Sequence, residues 1–209
     1  MGEETGSGIG TMPIASEIWV TRHGQKKFGS ANPSLTERGQ MQAMEMAQKY
    51  LTEIKFDAIY RGAQARHVET AEIVKVTLRL SCDILETPAL SLTHHMNDDA
   101  NECAIKGRNH PDGPAVGFRV DTWLEADSIL MDNCFEQFQN FLRGIPRKMN
   151  TVLAISSSPI VESATTDPEN TQLLGECGII KYIIDGKGLI LSSEVIFEGF
   201  FEKPPQEST

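Results

Sequence analysis

Hydrophobic residues fall along this chain in short runs and amphipathic stretches that alternate from residue 17 to residue 156. The run Ile18-Trp19-Val20 predicts a first strand over 17–21. After a polar turn containing Asn32-Pro33, apolar residues at Met41, Ala43, Met44, Ala47 and Leu51 keep helical spacing and predict a helix over 36–52. Residues 56–60 read as a second strand and 82–85 as a short third one. Between them lies a second helix over 64–80, with Ala65, Val68, Ile73, Val76 and Leu78 among its apolar residues. The segment 86–116 is polar, with Gly, Pro, Asn and Asp throughout, and is too long for a passive connection; it is expected to be a loop serving as a lid or active-site excursion. A long amphipathic helix is expected over 121–142, starting at Asp121 or near Asp127. Val152-Leu153-Ala154-Ile155 predicts a buried strand over 151–156. The apolar stretches 179–184 and 189–197 flank Asp185-Gly186-Lys187-Gly188, a strong hairpin signal.

Strands that alternate with helices in this way predict an α/β fold. The expected form is a three-layer α/β/α sandwich, its sheet mostly parallel with an antiparallel edge from the C-terminal hairpin. One domain is expected over 16–201, between a disordered leader (1–15) and a loose tail (202–209). Gly6-Ser7-Gly8-Ile9-Gly10 matches a nucleotide loop in composition only, because no strand precedes it. Ligands of such sheets bind beyond the carboxyl ends of the strands, where Arg22-His23 and Ser156-Ser157 both fall.

Composition narrows the partners. A chain of 209 residues buries roughly 70% of its unfolded surface and needs no disulfide or metal to hold a core. The net charge of -10 disfavours nucleic acid and anionic membranes as partners, so any positive field must be local, built by a few arginines in one cleft. Four separated cysteines, none in a Cys-x-x-Cys pair, make a zinc site an unfavoured reading. His94, His95, His110 and Cys103 fit no familiar ligand spacing, and no metal is expected. With no signal segment, no membrane-length apolar run and no Ser or Thr at position six for myristoylation, the expected location is the cytoplasm.

Thr21-Arg22-His23-Gly24 carries the candidate chemistry. Arg22 offers a permanently charged fork suited to phosphate oxygens, and Gly24 lets backbone approach a ligand. A neutral imidazole at His23 can attack phosphorus and split a hard displacement in two through a phosphohistidine. Its other ring nitrogen must then donate to a fixed acceptor. Arg66, near the start of the second helix, can point toward the same crevice.

Thr21-Arg22-His23-Gly24-Gln25, Leu35-Thr36-Glu37-Arg38-Gly39-Gln40-Met41-Gln42-Ala43 and Arg66-His67-Val68-Glu69-Thr70-Ala71 together resemble the histidine phosphatase (phosphoglycerate mutase-like) superfamily. The resemblance runs from about residue 17 to 75, and the strand at 151–156 continues it. It implies that His23 is the phosphorylated nucleophile and that Arg22 and Arg66 bind the phosphoryl oxygens. Gly39 and Gln42-Ala43 read as packing positions, where small residues let a helix approach closely.

The chain departs from the family pattern in three places. Members usually carry a second histidine after the strand at 151–156; here Ser157 takes that place, able to donate one hydrogen bond to phosphate but bringing no charge. A preorganised donor of that kind is typically worth about 3 kcal/mol of barrier or more. Where a serine pair often follows the second strand, this chain has Arg61-Gly62, with Arg61 expected on the surface. Where a glutamate proton donor is common, Ala89-Leu90-Ser91-Leu92 has none. The donor is then sought among Asp98, Asp99, Glu102, His94 and His95, with Asp98 taken as the catalytic acid.

Phe118, Trp123 and Phe135 are expected to anchor the 86–142 region to the core. Glu162 has two readings, orienting a basic residue in the cleft or stabilising a helix dipole from the first turn. The expected function is binding and hydrolysis of a phosphomonoester through His23, weakened by Ser157 and needing no cofactor. The alternative is an inactive pseudophosphatase that binds a phosphorylated small molecule or a phosphoprotein. A mutase is disfavoured by the scarcity of basic residues, and a plain scaffold would leave the Arg-Arg-His set an accident.

Overall fold

The computed structural model of the chain describes residues 15–201. The leader expected before residue 15 and the tail expected over 202–209 lie outside the described residues.

Six strands form one sheet: β1 (Ser16–Arg22), β2 (Ala58–Arg61), β3 (Asp83–Glu86), β4 (Thr151–Ser156), β5 (Ile179–Ile184) and β6 (Ile190–Phe197). Their order is β3-β2-β4-β1-β5-β6. The first four run parallel, and β5 and β6 add an antiparallel edge. This is the predicted α/β sandwich. Alternation along β4 explains the layering: Val152 and Ala154 enter one core, Leu153 and Ile155 the other. One layer holds α1 (Glu37–Met46), which continues as a π-helical turn over Ala47–Leu51, and α2 (Ala65–Leu78). The other holds α3 (His94–Arg108), α4 (Pro114–Gly117), α5 (Val120–Ala126) and α6 (Ser128–Gly144).

Several local expectations change. The polar segment 86–116 is helical over much of its length and not a loop. Met96, Ala100, Cys103, Ala104 and Gly107 keep a helical spacing on the packed side of α3, but in small or sulfur-bearing residues that give little hydrophobic contrast. The single helix over 121–142 is two helices: Asp127 ends α5 and caps α6, its carboxylate accepting from the Leu130 amide at 2.9 Å. Trp123 is buried and Phe118 half-buried against that core, but Phe135 faces outward. On α1 the inward face is Gly39, Gln42, Ala43 and Met46, whereas Met41 and Met44 are exposed. On α2 the inward face begins with polar residues, Arg66, His67 and Thr70, before it turns apolar at Ala71 and Val74. A polar inner face at one end of a helix means that end looks onto something other than core.

Candidate active site

Three adjacent parallel strands end at one mouth of the sheet. Arg22 pairs with Ser156 across β1 and β4, and Arg61 with Ile155 across β2 and β4. The next residues of each chain segment, His23, Ser157 and Gly62, therefore leave the sheet side by side. The His23 amide donates to the Ser156 carbonyl at 3.0 Å, and the Gly62 amide to the Ile155 carbonyl at 3.2 Å. The strand order changes direction here, since β4 returns between β1 and β2; that is the switch point at which open α/β sheets take ligands.

His23 is buried, and its Nδ1 lies 2.7 Å from the Gly24 carbonyl. A carbonyl can only accept, so Nδ1 carries the proton and the lone pair sits on Nε2. Burial pushes the His23 pKa well below its ordinary value, helped by His67, Arg22 and Arg66 and opposed by the Gly24 carbonyl. The imidazole is thus neutral and nucleophilic at neutral pH.

Arg22 and Arg66 both reach this place. Their charges act on His23 and on each other, and Arg66, buried, has its pKa lowered to about 10 by desolvation and by Arg22. Arg22 donates through Nη1 to the Leu174 carbonyl. The Leu174 amide in turn donates at 2.7 Å to Oε1 of buried Glu162, which also accepts from Ser158 at 2.6 Å. Glu162 sits in a turn, not in a helix, so the dipole reading falls; it steadies the peptide that holds Arg22. Burial raises its pKa, against the hydrogen bonds from Ser158 and Leu174. Among the described residues, buried Nε atoms of both Arg22 and Arg66 have no hydrogen-bond partner, two donors left unsatisfied by the protein.

Ser157 Oγ lies 3.4 Å from Arg66 Nη2 and 2.9 Å from His67 Nε2. The structure therefore gathers Arg22, His23, Arg66 and Ser157. Asp98 is exposed on α3, its Oδ2 3.0 Å from His94 Nδ1. Arg61, expected on the surface, pairs with Glu86 at 2.7 Å. Among the described residues no group of three or more His, Cys, Asp or Glu is placed to hold a metal.

Two residues of the cleft escaped sequence reasoning. Lys26 is partly buried, and desolvation together with Arg66 and Arg22 lowers its pKa, which makes it a third cation beside the two arginines. Its nearness to His23 along the chain was the only signal. His67 lies with its ring centroid 5.5 Å from that of His23. It was visible as a neighbour of Arg66 but carried no assigned role.

Packing around His23 is close. A Cβ at Gly24 would meet the Gly39 carbonyl at 2.4 Å, and one at Gly39 would meet the Gln25 carbonyl at 2.2 Å. The packing role expected of Gly39 fits this contact. Gln42 does more than pack, its Oε1 accepting from the Gln25 amide at 2.9 Å.

The family model of the histidine phosphatase superfamily (branch 1) matches residues 18–91. No curated protein sequence matches the chain. Among solved structures, the chain resembles a phosphoglycerate mutase from Bacillus anthracis (TM-score 0.62, 15% identity, 88% of this chain and 93% of that one). It also resembles a mycobacterial glucosyl-3-phosphoglycerate phosphatase (TM-score 0.54, 14% identity, 88% and 99%). A third likeness is to a phosphoserine phosphatase from Entamoeba histolytica solved with 3-phosphoglyceric acid (TM-score 0.51, 17% identity, 86% and 96%). These likenesses show the shared α/β fold.

Proposed function

We propose, from the match of residues 18–91 to the histidine phosphatase superfamily, that this protein is a phosphatase-like domain that binds a phosphoryl group and hydrolyses a small phosphomonoester through His23. The observation that carries the reading is the His23 tautomer, with Nδ1 tied to the Gly24 carbonyl and Arg22 and Arg66 around the ring. In the proposed reaction Arg22, Arg66 and Lys26 hold the phosphoryl oxygens. His23 Nε2 attacks phosphorus, the ester P–O bond breaks, and the leaving oxygen takes a proton from the acid. Water then attacks the phosphohistidine, its proton going to the same acid, and inorganic phosphate leaves with His23 neutral again.

Asp98 is the proposed acid, exposed near the start of α3. Asp98→Asn is expected to slow an alkyl phosphate far more than an aryl phosphate, whose leaving group needs no proton. No effect on either substrate would remove Asp98 from the reaction. Ser157 is proposed to stand where relatives carry a second histidine, so transition-state charge is stabilised by a neutral donor and turnover is slower by about a hundredfold. The basic cleft in an acidic protein favours a phosphorylated small molecule, and the segment 86–116 is the proposed determinant of which one. Among the described residues no helix is long and apolar enough to cross a membrane.

Turnover of p-nitrophenyl phosphate by the protein and by His23→Ala, with inorganic phosphate binding measured on both, tests the proposal. Loss of turnover in the variant, with phosphate still bound, supports it. Phosphate binding with no turnover that depends on His23 would favour the pseudophosphatase reading. No phosphate binding at all would reject both.

A further inference from the structure

We propose that His67 is a positioning residue for the phosphoryl group, holding the Ser157 hydroxyl so that its proton points into the anion site. The inference rests on the reading that this cleft takes a phosphoryl group, and it assigns a role to a histidine that the reaction above does not use.

The argument begins with the hydrogen-bond capacity of one hydroxyl. Ser157 Oγ has one proton to give and two lone pairs. Arg66 Nη2, 3.4 Å away, can only donate. His67 Nε2, 2.9 Å away, donates or accepts according to its tautomer. Two tautomers of the neutral ring are possible, and burial decides between them. His67 is wholly buried, and its Nδ1 has no partner among the described residues. A proton on Nδ1 would be a buried N–H with no acceptor, an arrangement that folded proteins rarely keep. With the proton on Nε2, both neighbours donate to Ser157 Oγ and occupy its lone pairs. The hydroxyl proton is then left for a third acceptor, and a bound phosphoryl oxygen is the acceptor this proposal assigns to it.

Charge keeps the ring in that state. Burial, together with Arg66 and Arg61, drives the His67 pKa well below its ordinary value, so the imidazole is neutral at neutral pH.

The place for this ring is made by Gly62. A Cβ there would lie 2.3 Å from His67 Nδ1, and 2.5 Å from both the Leu90 carbonyl and Ser91 Oγ. Two departures from the family pattern, Gly62 at the end of β2 and Ser157 at the end of β4, thus touch the same imidazole from opposite sides. They form one unit: glycine makes the space, histidine fills it, and serine is aimed by it.

The test uses the full chain with inorganic phosphate as the binding probe and p-nitrophenyl phosphate for turnover. Nitrogen-15 NMR of the unsubstituted protein should show His67 protonated on Nε2 at neutral pH. Ser157→Ala and His67→Leu should each weaken phosphate binding about tenfold or more, the usual scale for a hydrogen bond to a charged group. The double variant should be no weaker than the worse single, because both remove one interaction. His67→Gln, which can place a donor near the same point, should recover binding to within about threefold of the original. A proton found on Nδ1 overturns the inference without requiring any variant to fold. So do additive losses, or a folded His67→Leu protein that binds phosphate as before. A parent chain that binds no phosphate would instead overturn the function on which this rests.

Discussion

Installing a histidine at position 157 should succeed only when the imidazole at position 67 is removed. Ser157 Oγ already sits 2.9 Å from His67 Nε2 and 3.4 Å from Arg66 Nη2. An imidazole extends a whole ring beyond the place of that oxygen, and Ser157, His67 and Arg66 are all buried. Ser157→His alone therefore overpacks, at a cost of about 1–3 kcal/mol. For a chain of this size that lowers the melting temperature by roughly 2–12 °C. The displaced rings would also pull Arg66 from its place, so turnover should change by less than about threefold. In Ser157→His/His67→Ala the vacated space accepts the new ring. A cationic donor at the strand end then recovers part of the roughly 3 kcal/mol that such donors contribute, and kcat should rise at least about tenfold above the original. The assay is steady-state hydrolysis of p-nitrophenyl phosphate, with a thermal melt of each variant. A single Ser157→His variant with the full gain and an unchanged melt would refute the reasoning, since it would mean that His67 does not occupy the space.

Three further outcomes follow from the same geometry. Desolvation, then His67, Arg22 and Arg66, depresses the His23 pKa, so the nucleophile stays neutral below pH 6.5; the acid limb of kcat/KM should lie below that pH, and an inflection at or above it would contradict the assignment. Both His23 and His67 have folded pKa values below their unfolded ones, so the unfolded chain binds more protons as pH falls through about 6.5. Stability should then drop by up to about 1.4 kcal/mol per pH unit for each histidine, and chemical denaturation should show a shallower acid loss in His67→Gln than in the original protein. Gly39→Ala should cost about 2–3 kcal/mol in a denaturant melt and weaken phosphate binding, because its Cβ would press the Gln25 backbone that follows Gly24; a neutral effect would show that the loop yields freely.

Much of this fold was legible because the core strands write their burial plainly. Val152-Leu153-Ala154-Ile155, apolar on both faces, located β4 to its ends, and Asp185-Gly186 located the turn between β5 and β6. The α3 helix was not legible, since its packed positions are Ala, Cys and Gly as much as Met. Met41 and Met44 misled in the opposite direction, for the inward face of α1 needs the smallness of Gly39 and Ala43 near the nucleophile loop more than it needs bulk. Arg22, His23 and Arg66 were legible as residue types at meaningful spacings. Lys26 and His67 were not, because what qualifies them is a neighbour distant in the chain: Arg66 for Lys26, and Ser157 for His67. Glu162 became readable only once the Leu174 peptide lay between it and Arg22.

His23 and Ser157 hang from strands bonded to each other, not from the helical region over 94–144. The spacing between them is set by the register of β1 against β4, which places Arg22 opposite Ser156. Backbone hydrogen bonds between the two strands therefore fix the distance between these side chains before any helix is laid over the sheet.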